Sequence, residues 1–175
     1  MVEDANILRY VLPIATSRES GSSDFGLLHL IPAGRQSASY ASRVNTFKWQ
    51  NFYTDQRGRE YLDKARQELR ETYEYILIDS RTGVSDTAGI CTVHLPDTLA
   101  VFCTANTQSI DGAARVASSV WRQWCEDPRY QTFDKRIYPF ITRVEKSELD
   151  KLDVAREHVR ARFDGLLRDH SRLST

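Results

Sequence analysis

Four short apolar runs, each closed by polar or turn-forming residues, set the limits on what this sequence can fold into. They are Leu-Leu-His-Leu-Ile at 27–31, Tyr-Ile-Leu-Ile-Asp at 75–79, Thr-Leu-Ala-Val-Phe-Cys at 98–103 and Ile-Tyr-Pro-Phe-Ile-Thr at 137–142. A strand with one wet face alternates polar and apolar residues, whereas a run that is apolar almost throughout reads as a strand buried on both faces. Between these runs the period changes to that of a helix. Leu62, Ala65, Leu69 and Tyr73 recur at steps of three or four, and so do Ile110, Ala113, Ala117, Val120 and Trp124. After the last run, Leu149, Leu152, Val159, Phe163, Leu166 and Leu167 make a further stripe. Strands of this kind separated by amphipathic helices predict an α/β fold, a doubly wound and mostly parallel sheet with helices on both faces. Pro139 lacks the N–H that a central ladder needs, so its strand is expected at an edge.

Two stretches break the alternation. Residues 16–24 are polar and read as a loop after the short run from Leu8 to Ile14. Residues 33–58 hold Tyr40, Phe47, Trp49, Phe52 and Tyr53 among polar neighbours, which predicts one or two short helices carrying aromatics. With 175 residues the chain is expected to be a single domain over 1–175, long enough to bury roughly 70% of its unfolded surface without a metal or disulfide staple. Its 41% hydrophobic and 27% charged residues are globular values and exclude a disordered chain.

Lys plus Arg and Asp plus Glu both number 24, and this neutral balance argues against a dedicated nucleic-acid binder, which carries a basic excess. Residues 146–172 interleave seven Lys/Arg with six Asp/Glu, the pattern of a solvated helix face. No apolar run approaches the roughly 18–20 residues of a membrane span, and no secretory signal pattern opens the chain, so a cytoplasmic location is expected. Cys91, Cys103 and Cys125 are odd in number and far apart, which fits reduced thiols, the first two as inert core residues. His29, His94, His158 and His170 are scattered without metal-ligand spacing. His29, inside an apolar run, reads as a satisfied buried or edge residue. Ser85 misses the Gly-x-Ser-x-Gly elbow, and Cys125 and Arg129 lack a glycine-rich cradle, so neither nucleophile chemistry is supported.

In an open parallel sheet, ligands bind outside the carboxyl ends of the strands. Three such ends are polar: Asp79 followed by Ser80, Arg81, Thr82 and Gly83; Thr104 through Gln108; and Thr142 with Arg143. An apolar strand ending in Asp with Gly close behind is a pattern by which nucleotide hydrolases hold Mg²⁺ and sense a γ-phosphate. The carboxylate is a hard oxygen ligand, and the glycine lets a backbone N–H approach the phosphate. The alternative is that Asp79 merely caps the turn after its strand. For Arg143 the alternatives are stacking on a base and a surface ion pair with Glu145 or Glu148.

The ordered landmarks Tyr-Glu-Tyr-Ile-Leu-Ile-Asp-Ser-Arg-Thr-Gly at 73–83, Leu-Pro-Asp at 95–97 and Asn-Thr-Gln-Ser at 106–109 resemble the second half of the ParA/MinD family of P-loop ATPases. Leu-Ile-Pro-Ala-Gly-Arg at 30–35, Tyr40 and the Phe47 to Trp49 segment resemble the bacterial subgroup whose Walker A loop ends in Arg. The resemblance spans most of residues 8–145. It implies that Asp79 is the Walker B aspartate and the Mg²⁺ ligand, and that Gly83 is the switch glycine, with Ser80, Arg81 and Thr82 forming the turn between them. It implies too that Thr104, Asn106, Thr142 and Arg143 lie on the base side of an ATP site.

The chain departs from that family in one respect. It contains no Gly-x-x-x-x-Gly-Lys-Ser/Thr loop or glycine-rich variant of it. The expectation is therefore an incomplete P-loop domain, the Walker B, switch and base-side portion of a nucleotide-dependent dimerising ATPase. It is expected to be inactive alone and to need an upstream segment for ATP, Mg²⁺ and the homodimer. The rival expectation is a non-catalytic α/β module that pairs with a protein partner through residues 40–53 or the terminal helix. An α/β enzyme of another chemistry is disfavoured because no nucleophile and base pair is visible.

Overall fold

The computed structural model describes residues 6–14, 27–34, 37–54, 57–80, 89–130, 134–145 and 149–166, and the chain divides into two compact units, Met1–Leu77 and Ile78–Thr175. The polar stretch at 16–24 lies outside the described residues.

In the first unit, a 3₁₀ turn at Ile7–Tyr10 leads into β1 (Leu12–Ile14), which pairs antiparallel with β2 (Leu28–Leu30) in the register Leu12↔Leu30, Pro13↔His29, Ile14↔Leu28. The run at 27–31 is thus a strand, but it belongs to an antiparallel pair with mostly exposed residues, not to a parallel sheet. Helices α1 (Tyr40–Thr46), α2 (Trp49–Thr54) and α3 (Gly58–Thr72) follow. The aromatics of residues 47–53 pack on one another: Phe47 on Trp49 at 4.7 Å, Trp49 on Phe52 at 6.0 Å, Phe52 on Tyr53 at 6.0 Å between ring centroids. His29 is satisfied as expected, its Nδ1 sharing a hydrogen bond of 2.8 Å with the Tyr73 hydroxyl, and Glu68 accepts from the Ile7 amide at 3.1 Å, tying the first turn to α3.

The second unit carries the parallel sheet. β3 (Thr98–Thr104) runs through α4 (Thr107–Glu126) and a 3₁₀ turn (Pro128–Tyr130) to β4 (Arg136–Thr142), followed by α5 (Leu149–Phe163). The strands pair in parallel over seven positions, from Thr98↔Arg136 to Thr104↔Thr142. A parallel pair requires a crossover, and α4 supplies it. The apolar stripe of α4 does what its period predicts: Ile110, Ala114, Ala117, Val120 and Trp124 are buried against Cys103, Ile137 and the Ala155, Val159, Phe163 face of α5. Pro139 sits in β4 opposite Val101, on a strand whose only ladder partner among the described residues is β3, as its missing N–H demands.

Two features differ from a doubly wound sheet. Residues 75–79 join no ladder among the described residues, and Tyr75 and Leu77 are 80% and 94% exposed. Apolar composition proposes a strand, yet a strand exists only where another backbone completes its hydrogen bonds, and no described strand pairs with this segment. The sheet of the second unit therefore has two strands among the described residues, with one face covered. On the other face Phe102 and Phe140, directly paired in register, stack at 5.3 Å and stay 66% and 46% exposed. The structure is α/β with a small parallel sheet. No helix among the described residues is long and apolar enough to cross a membrane.

Candidate functional site

The parallel register brings four of the sequence-predicted residues to one edge. Thr104 and Thr142 are the last pair of the ladder, so the chain after each strand leaves from the same side of the sheet. After β3 it enters α4 at Asn106, the N-cap, whose Oδ1 accepts from the Ser109 amide at 2.8 Å. This satisfies one of the four amides that a helix start leaves without partners. Asn106 Nδ2 donates to Thr104 Oγ1 at 2.8 Å, and the Thr104 amide donates to Ser109 Oγ at 3.0 Å. The turn is thus cross-braced by three side-chain bonds, and Ser109, three residues after the cap, is part of the machinery that holds it. On the neighbouring strand the Thr142 hydroxyl donates to the Cys103 carbonyl at 3.2 Å.

Arg143 follows at φ +55°, a left-handed conformation that non-glycine residues rarely adopt, and is exposed. No ion pair joins it to a described residue, Glu145 included, and Glu148 lies outside the described residues. Thr104, Asn106, Thr142 and Arg143 therefore form one polar rim at the carboxyl edge.

Asp79, in the second unit, is exposed, and its charge is felt at Cys91 in the π turn Ile90–His94. Burial first, and then the Asp79 carboxylate, push the Cys91 thiol up. Burial does the same to Cys103, so neither thiol is activated. Ser80 is described and half-buried, while Arg81, Thr82 and Gly83 fall outside the described residues. No group of three or more His, Cys, Asp or Glu gathers among the described residues into a protein-only metal cage.

Two constellations were not visible beforehand because they join residues far apart in the chain. Lys135 is buried, donates to the Pro96 carbonyl and sits over the rings of Trp124 at 5.1 Å and Tyr130 at 5.3 Å, a cation held by two aromatic faces. Asp111 on α4 accepts from His158 Nε2 at 3.0 Å and from Arg162 Nε at 2.7 Å, both on α5. The His158 bond is the first reason that the Asp111 carboxyl is held below the usual carboxylate range; burial opposes it, and the Arg162 bond and charge add to it.

A carboxylate easier to ionise in the folded than in the unfolded chain contributes stability that is complete above its unfolded pKa. That contribution is lost as pH falls through the lower folded value. Asp111→Asn is accordingly expected to be less stable than the parent chain at pH 6. The gap between their urea midpoints should close below the ordinary carboxylate range; a gap that stayed constant to pH 2.5 would remove Asp111 from this latch.

Compared with family models, with curated proteins and with solved structures, the chain matches none.

Proposed function

We propose that this chain is the Walker B, switch and base-side part of a ParA/MinD-like ATP-binding protein, which acts as a nucleotide-dependent dimerising switch once a glycine-rich phosphate loop completes it. The observation that carries the reading is the rim of Thr104, Asn106, Thr142 and Arg143 at the carboxyl edge of a parallel pair, where α/β folds bind ligands. The guanidinium of Arg143 offers a planar, weakly hydrated cation to stack on adenine. The side-chain amide and hydroxyls around it offer hydrogen bonds to the base. Asp79 would hold Mg²⁺, and the bound ATP·Mg²⁺ would supply the phosphoryl group to be transferred to water. The proposal rests on the sequence landmarks at 73–83 and 95–109 together with this placement.

The test has two arms. The 175-residue chain alone is expected to release no phosphate from ATP beyond its Asp79→Ala variant, because Asp79 cannot cradle the triphosphate. Joined to an upstream segment that carries a glycine-rich loop, it is expected to hydrolyse ATP, and Asp79→Asn to abolish turnover while leaving the circular dichroism unchanged. Turnover by the chain alone, or undiminished turnover in the joined Asp79→Asn protein, rejects the assignment. A second reading, a non-catalytic α/β interaction module, is favoured by the exposed Phe102–Phe140 stack and by the exposed apolar residues 75–78. It predicts no nucleotide binding even when the loop is supplied.

A further inference from the structure

We propose that the cup between α1 and α2 binds a phosphate ester, its phosphate held by Arg43, Lys48 and Asn51 and its organic part laid against Phe47. The cup has a volume of about 450 Å³ and is lined by Arg43, Thr46, Phe47, Lys48 and Asn51. It is a depression open to solvent, and all five residues that line it are exposed. It belongs wholly to the first unit and does not depend on the nucleotide reading of the second.

Charge is the first argument. Residues 25–54 contain no Asp or Glu at all, in a chain whose 24 acids in 175 residues would put about four there, and they carry Arg35, Arg43 and Lys48. In an otherwise neutral protein this is a segregated positive segment with no internal counter-charge. Among the described residues that line the cup there is no carboxylate for a ligand anion to displace.

Partner accounting is the second. The Lys48 ammonium and the Asn51 amide make no hydrogen bond or ion pair with any described residue. Arg43 gives one N–H to Ser37 Oγ at 3.3 Å, which steadies the guanidinium and leaves its other donors unused. Thr46 sends its hydroxyl proton back to the Ser42 carbonyl at 2.8 Å, so it is wall and not donor. Two cations and one neutral donor, Arg43 on α1, Lys48 in the link between the helices and Asn51 on α2, match a tetrahedral group with three free oxygens better than a flat carboxylate with two.

Shape is the third. Phe47 is 44% exposed, yet its ring is braced by Trp49 at 4.7 Å and by Phe52 at 5.7 Å. An aromatic wall already fixed in place loses little freedom when a ligand stacks on it.

The experiment is a ¹H–¹⁵N titration of the 175-residue chain with phenyl phosphate, inorganic phosphate and phenol. Phenyl phosphate is expected to give saturable shifts confined to residues 43–51 and to bind more tightly than inorganic phosphate, with phenol giving none. The double variant Arg43→Gln, Lys48→Gln should lose roughly tenfold or more in affinity, the scale of removing charge-assisted bonds. Lys48→Arg should keep the affinity, and Phe47→Leu should bring phenyl phosphate down to the level of inorganic phosphate. Shifts that spread over the surface without saturating, or that survive unchanged in the double variant, would overturn the site. Equal affinities for phenyl phosphate and inorganic phosphate in the parent chain would overturn the ester.

Discussion

Trp124→Ala should cost the second unit about 3–5 kcal/mol, the range for truncating a large buried aromatic. Trp124 is 3% exposed and stands where α4, β4 and the segment before β3 meet. Three losses coincide in that one substitution. The ring volume goes, leaving a cavity beside Val93, Tyr130 and Ile137. The indole N–H no longer donates to the Val93 carbonyl, a buried bond of 2.8 Å, and an orphaned buried acceptor costs about 1–3 kcal/mol. Lys135 loses one of the two aromatic faces that make its burial tolerable. Because a domain's net stability is about 5–15 kcal/mol, the variant is expected to be marginal at 25 °C. Urea unfolding followed by far-UV circular dichroism measures it. Trp124→Phe, which keeps a ring and loses the bond, should fall between the two, and the half-buried Trp121 should tolerate alanine better. A midpoint for Trp124→Ala close to that of the parent chain would mean that the ring is not the keystone described here.

In the first unit the largest effect is expected from Gly58→Ala, and two principles oppose each other there. Helix propensity alone favours alanine by about 1 kcal/mol. Sterics oppose it, since a Cβ at position 58 would lie 2.3 Å and 2.4 Å from two ring carbons of Phe52 and 2.5 Å from its carbonyl oxygen. The ring can swing aside, but the carbonyl moves only if α2 shifts against the start of α3. Overpacking of this kind costs typically about 1–3 kcal/mol, so the net effect should be destabilising and should disturb the Phe47–Trp49–Phe52 cluster. Thermal melting with near-UV circular dichroism reads both. A variant more stable than its parent would show that propensity wins and that the close approach at Phe52 is relieved without strain.

The candidate rim was legible in advance to the extent that it depends on local order. Asn106 followed by Ser109 ahead of an apolar stripe is a helix-start pattern, and the structure shows the two side chains closing that start. Thr142 and Arg143 were expected at a strand end and are there, because the apolar run before them pairs with β3 and packs Ile137 and Ile141 on the core. What local order could not reveal is Asp111 held by His158 and Arg162, or Lys135 beneath Trp124 and Tyr130. These groups are 47, 51 and 5 to 11 residues apart, and only the docking of α4 on α5 and of Tyr130 and Lys135 on Trp124 brings them together.

Strand formation marks the same division. For α3, α4 and α5 the sequence alone located the helix and much of its buried face, Ala114 and Ala155 being additions that packing made, since a helix completes its hydrogen bonds within itself and needs only one apolar stripe to dock. It determined likewise which segments want to be strands, from the apolar runs at 27–31, 75–79, 98–103 and 137–142. Whether each one became a strand was settled by tertiary structure. The runs near 100 and 140 found each other in parallel, the run near 29 took β1 in antiparallel, and the run at 75–79 found no ladder among the described residues. The physical reason is that a strand's hydrogen bonds are made to another backbone, so its existence, direction and register are properties of a pair and are written in no single segment.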